Sequence, residues 1–79
     1  MSKEAVQERI LEMLSQATGN TYTLDQDLME EGCLSSIELM DLIMGVEREF
    51  RVKIPSRKLQ VVATAEDLVE LVCERAGIG

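Results

Sequence analysis

The chain has 79 residues, enough for one small domain, with 46% hydrophobic residues and a formal net charge of −7. It has no His, which removes Ser-His and Cys-His nucleophile pairs and the commonest metal ligand; its acidity disfavours nucleic acid. The only aromatics are Tyr22 and Phe50, so aliphatic side chains and five Met must fill the core.

Residues 2–17 carry Val6, Ile10, Met13 and Leu14 at the spacing of an amphipathic helix, with Ser2 as a cap and Thr18-Gly19-Asn20 as its end. Residues 18–34 form a long connection, with Tyr22, Leu24, Leu28 and Met29 as anchors and Gly32 as a bend. Leu24 and Leu28 are the expected pins.

A second helix is predicted over Ser36–Phe50, about 22 Å long. Ser35 is its N-cap, Glu38 completes a capping box, and Leu34 and Leu39 occupy the positions of a hydrophobic staple. Ser36 is then the first residue inside the helix, on a corner open to solvent, where a phosphate ester would meet free N–H groups. Taken alone, this is also the pattern of any polar residue in a first turn. Leu39, Leu42, Ile43, Val46 and Phe50 make a core stripe, and Ile37, Met40 and Met44 a surplus one. The surplus stripe is expected to be partly exposed for a partner. Arg48, Arg51 and Lys53 at the helix's C-terminal end suit its dipole.

Val52-Lys53-Ile54-Pro55 must be extended. Ser56–Gln60 allows one or two helical turns, capped by Ser56. Thr64 opens a last helix with Asp67 at the capping-box position, an apolar face of Leu68, Val69, Leu71 and Val72, and Gly77 beyond its end. No segment alternates with a period of two, so the expected fold class is all-α, one domain over residues 1–79.

Charge is concentrated. Residues 25–49 hold eight acids and one base, so the remainder of the chain is neutral overall. Such a surface is either a solvated face or one that attracts basic protein patches. An EF-hand loop started at Asp25 fails, because Glu30 stands where Gly is needed and Ser36 where the bidentate Glu is needed. No phosphate-binding glycine loop is present, and the carboxylates have no pocket to shift them, so the chain is not expected to be an enzyme. Cys33 and Cys73, without CxxC spacing, are expected to be free thiols in a reducing compartment. With no leader and no apolar run of about 18 residues, the expectation is a cytoplasmic protein without membrane insertion.

The run Glu31-Gly32-Cys33-Leu34-Ser35-Ser36-Ile37-Glu38-Leu39-Met40-Asp41-Leu42, followed by Val46-Glu47-Arg48-Glu49-Phe50 and Ile54-Pro55, resembles the acyl carrier protein family over nearly the whole chain. The resemblance implies a four-helix bundle with a short third helix. It implies that Ser36 is esterified with 4′-phosphopantetheine by a separate phosphopantetheinyl transferase using coenzyme A. Acyl or aminoacyl groups would ride as thioesters on that arm, exchanged with loading and transfer enzymes by a carrier acting as a monomer. By position, the matching partner contacts are Ile37, Glu38, Met40, Asp41, Met44 and Glu47. Two departures point to a dedicated pathway. Ser35 stands where most members have Asp, although both cap helices, and the third helix is basic at Arg57 and Lys58. The spacing of Gly32 before Ser36 resembles D-alanyl and other specialised carriers. The alternative is an unmodified module of the same fold that binds a partner through its acidic second helix.

Overall fold

The computed structural model describes residues 2–29 and 34–78. Four helices follow in order: α1 (Lys3–Thr18), α2 (Ser36–Phe50), α3 (Ser56–Leu59) and α4 (Ala65–Ala76). Among the described residues there is no strand, only an isolated antiparallel bridge between Asp27 and Thr64. The all-α class with a short third helix is therefore as the sequence predicts.

Local chemistry sets the ends of the longer helices. The Ser2 hydroxyl accepts the Ala5 N–H at 3.2 Å, and α1 closes on Gly19 at φ 78°, a left-handed conformation that glycine adopts without strain. At the start of α4, the Thr64 hydroxyl accepts the Asp67 N–H (3.2 Å). Asp67 Oδ2 in turn accepts the N–H groups of Ala63 (3.0 Å) and Thr64 (3.1 Å). Those backbone donors, Ala63 first, hold the Asp67 carboxyl below the usual aspartate range.

The third helix begins differently from expectation. Ser56 lies inside α3, and Pro55 is the N-cap, with no side-chain cap bond. The extended Pro55 turns its carbonyl to accept the Lys58 and Leu59 N–H groups, so the helix starts one residue early.

Val6, Ile10 and Leu14 of α1 share one buried cluster with Leu42, Ile43 and Val46 of α2 and Leu68, Val69 and Val72 of α4. Helix α1 packs against both α2 and α4. Cys73 is a free thiol inside this cluster, and burial pushes its pKa up. On the surface, the Arg9 guanidinium joins Glu12 of its own helix to Glu49 of α2, and the hydrogen bond it donates to Glu49 foremost raises its pKa.

The connection before α2 is fixed by backbone bonds to the entrance of α4. The Leu28 N–H donates to Ala63 O (2.8 Å), the Glu66 N–H to Leu24 O (2.8 Å), and the Leu34 N–H to Leu28 O (3.1 Å). Tyr22 and Leu28 are buried and Leu24 packs against the cluster, as expected of anchors. Met29 is not one: with Leu28 turned inward, its neighbour is left 45% exposed. The expected bend at Gly32 and the Cys33 thiol lie outside the described residues.

Candidate functional site

Ser35 and Ser36 sit where this braced connection enters α2. Leu34 is buried and Leu39 packs against the same cluster, which places both staple residues in the core. Ser35 is extended (φ −80°, ψ 168°), and its hydroxyl accepts the Glu38 N–H at 3.2 Å. Glu38 Oε1 accepts the Ser35 N–H at 3.0 Å, so the capping box is complete. Ser36 follows as the first helical residue and is exposed. Its N–H and that of Ile37 meet no acceptor among the described residues. An anion held on the Ser36 oxygen would therefore lie against these two donors at the positive end of a fifteen-residue helix.

The core stripe of α2 is turned inward through Leu42, Ile43 and Val46, with Leu39 and Phe50 partly buried. The surplus stripe faces solvent: Ile37 is 75% exposed, Met40 52% and Met44 55%. The three acids assigned to this face differ in what they do. Glu38 is bonded to the backbone of Ser35. Glu47 is half-buried, and its Oε2 accepts the Ile54 N–H at 2.8 Å. Asp41 is exposed and makes no hydrogen bond or ion pair among the described residues.

The far end of α2 is closed by Arg51 in the left-handed region (φ 56°), uncommon for a residue with a Cβ. The N–H groups of Arg51 and Val52 both donate to Glu47 O. Both oxygens of Glu47, main-chain and side-chain, thus seal the helix end. Arg48 is in the last turn as the dipole argument expects, and with Arg51 and Lys53 it rims an open groove of about 390 Å³.

The chain matches the family model described as a phosphopantetheine attachment site over residues 6–72. It is 36% identical over 75 residues to an acyl carrier protein of Petrotoga mobilis, covering 95% of this chain and 87% of that protein. The chain belongs to the acyl carrier protein family. A second carrier, from Thermotoga maritima, is 27% identical over 79 residues, with 96% and 98% of the two chains covered. One from Onion yellows phytoplasma is 36% identical over 50 residues, 63% of this chain and 66% of that one.

Acyl carrier proteins carry groups for other enzymes and are not themselves catalysts, and their prosthetic group is phosphopantetheine. When bound, that group ends in a thiol that holds cargo as a thioester. The corner fits it: the Ser36 hydroxyl is open to solvent and the first-turn donors suit a phosphodiester. Partners of the family are transferases and acyl-handling enzymes. No described helix is long and apolar enough to cross a membrane.

The sequence marks Leu28 as a pin of the connection but not the bonds by which it holds this corner from behind. Leu28 uses its N–H on Ala63 and its carbonyl on Leu34, and so links the entrance of α4 to the residue before Ser35. The only advance signal was its place among the loop anchors.

Proposed function

We propose that Ser36 is the residue that bears phosphopantetheine and that the chain acts as one monomeric, cytoplasmic carrier domain over residues 1–79. The observation that carries this reading is the exposed Ser36 hydroxyl as the first residue of a helix closed by a capping box, with the Ser36 and Ile37 N–H groups meeting no acceptor among the described residues. Ser35 caps the helix beside the attachment point. Ile37, Met40 and Met44 form the apolar part of the docking face, Asp41 its open charge, and Glu38 and Glu47 flank it.

The cargo is an acyl or aminoacyl group, delivered within a dedicated pathway whose enzymes read a neutral residue before the serine and a basic α3. Tethering makes delivery nearly local, which raises the effective concentration of the cargo at each partner.

The test is incubation with coenzyme A and a promiscuous phosphopantetheinyl transferase, followed by intact mass. One arm should be added, and Ser36→Ala should take none. If several transferases leave the wild-type mass unchanged, the unmodified interaction module becomes the better reading. The mass of the protein isolated from its host identifies the cargo.

A further inference from the structure

We infer that the cationic groove at the tail of α2, at the opposite end of the helix from Ser36, is a docking site for a short acidic segment of a partner protein. The inference does not depend on what Ser36 carries.

The groove encloses about 390 Å³ and is lined by Met44, Glu47, Arg48, Arg51, Val52 and Lys53. Arg48, Arg51 and Lys53 are exposed, and their side chains make no ion pair or hydrogen bond among the described residues. Arg75 of α4 joins the same edge, where its Nε donates to the Lys53 carbonyl at 3.0 Å. The acids nearby in α2 are occupied. Glu47 accepts the Ile54 N–H at 2.8 Å, and Glu49 is held by Arg9 at 3.1 Å. The cations are thus left without an internal counter-charge, beside an apolar floor of exposed Met44 and half-buried Val52.

Arg51 is a separate sign. It ends α2 at φ 56°, in the left-handed region that glycine enters freely and a side chain enters with strain. Arg48 and Lys53 already meet the negative end of the helix dipole, so the dipole does not require a third cation at this position. A strained residue with no internal partner for its charge points to a use outside the chain.

Charge and range decide the occupant. A guanidinium pairs with a carboxylate through two parallel N–H bonds, which suits Arg48 and Arg51 to Asp or Glu side chains. Asp41, the nearest uncommitted acid of α2, stands ten residues before Arg51. That is about 15 Å along the axis, close to two screening lengths of about 8 Å at physiological salt. A short acidic segment at the tail therefore escapes the repulsion of the head. A membrane surface or a nucleic acid does not, because an extended polyanion laid on the tail also covers the acids of a chain with net charge −7. Met44 and Val52 add room for one apolar side chain between the acids of the guest.

The experiment titrates isotope-labelled protein, followed by its amide NMR signals, with three blocked hexapeptides: alternating Glu and Leu, alternating Glu and Ser, and alternating Lys and Leu. The Glu–Leu peptide should shift the signals of Arg48, Arg51, Val52 and Lys53 saturably. The Glu–Ser peptide should bind there about five-fold more weakly, for want of the apolar contact. Arg51→Gly, which the backbone accommodates, and Lys53→Ala should each weaken the Glu–Leu peptide about two- to five-fold, with helicity by circular dichroism unchanged. The double variant Arg48→Glu with Lys53→Glu should lose the Glu–Leu peptide and take the Lys–Leu peptide at the same signals.

The inference is overturned if the Glu–Leu peptide leaves these signals in place, if Glu–Ser binds as tightly as Glu–Leu, or if Arg51→Gly and Lys53→Ala bind like wild type. Two further controls can also overturn it. Equal shifts on adding vesicles of phosphatidylglycerol and phosphatidylcholine would make the groove a lipid-surface contact. The same shifts on concentrating the protein alone would mean that a second copy of the chain fills it.

Discussion

Replacing Glu47 by Ala tests whether this acid holds the fold or stands as an open charge. The change leaves the Ile54 N–H, now bonded at 2.8 Å to Glu47 Oε2, without an acceptor beside a buried side chain. Stranding a buried donor costs about 1–3 kcal/mol, and the half-buried setting puts this case near 1–1.5 kcal/mol. A domain of this size has a net stability of roughly 3–5 kcal/mol, so about a third of it is at stake. In urea the midpoint should fall at constant m-value, and the thermal midpoint should drop by about 4–8 °C per kcal/mol. Glu47→Gln keeps an acceptor oxygen and should recover more than half of the loss. Asp41→Asn is the surface control and should stay within about 0.5 kcal/mol of wild type. If Glu47→Ala matches wild type within error, the bond does not form in solution. Glu47 would then belong with Asp41 as an open docking charge, and its loss would appear only in partner kinetics.

Two further outcomes follow from the helix ends. The Asp67 carboxyl, held low by the Ala63 and Thr64 N–H groups, contributes stability that is fully present above the unfolded aspartate value of about 3.9. That contribution drains away as pH falls through the lower folded value, so the gap in thermal midpoint between wild type and Asp67→Asn should be widest near neutral pH and close in acid. A gap independent of pH would contradict it. Arg51→Gly relieves a side chain from φ 56° and should raise the thermal midpoint by a few degrees, a gain of about 0.5–1 kcal/mol. An unchanged or lower midpoint would mean that Arg51 makes up for its strained backbone elsewhere.

The parts of this molecule that sequence predicts are those whose partners are close in the chain. Ser35 with Glu38, and Thr64 with Asp67, are three residues apart, so both boxes follow from residue type and spacing. The core stripes of α1, α2 and α4 follow from helical periodicity, and they end up in one cluster. Ser56 shows the ambiguity of a single signal: a Ser after Pro can cap a turn or begin it, and here the Pro55 carbonyl decides. Contacts between distant segments leave no such trace. The bond from Leu28 to Ala63 depends on how the connection folds back over the entrance of α4. Sequence periodicity groups Glu47 with the acids of one helical face. Its bond to Ile54 exists only because the chain reverses at Arg51 and brings a later N–H back to it.

The exposed stripe of α2 runs against the energetic interest of so small a domain. Fully burying an aliphatic or Met side chain stabilises by about 1.5–3 kcal/mol. Ile37, Met40 and Met44 are each more than half exposed, so about 3–5 kcal/mol of burial is not realised, a sum comparable with the net stability of the fold. Rotating α2 would not recover it, because Leu42, Ile43 and Val46 would leave the core as the stripe entered. The helix is also fixed at both ends, by Ser35 and Glu38 at its head and by Glu47 at its tail. Its rotation therefore keeps an apolar edge in water beside Ser36. Such an edge suits a carrier that meets several enzymes in turn. Unbranched Met side chains adapt to differently shaped surfaces, and under the docking face proposed above a contact of three side chains and one open carboxylate would be small enough to release after each transfer.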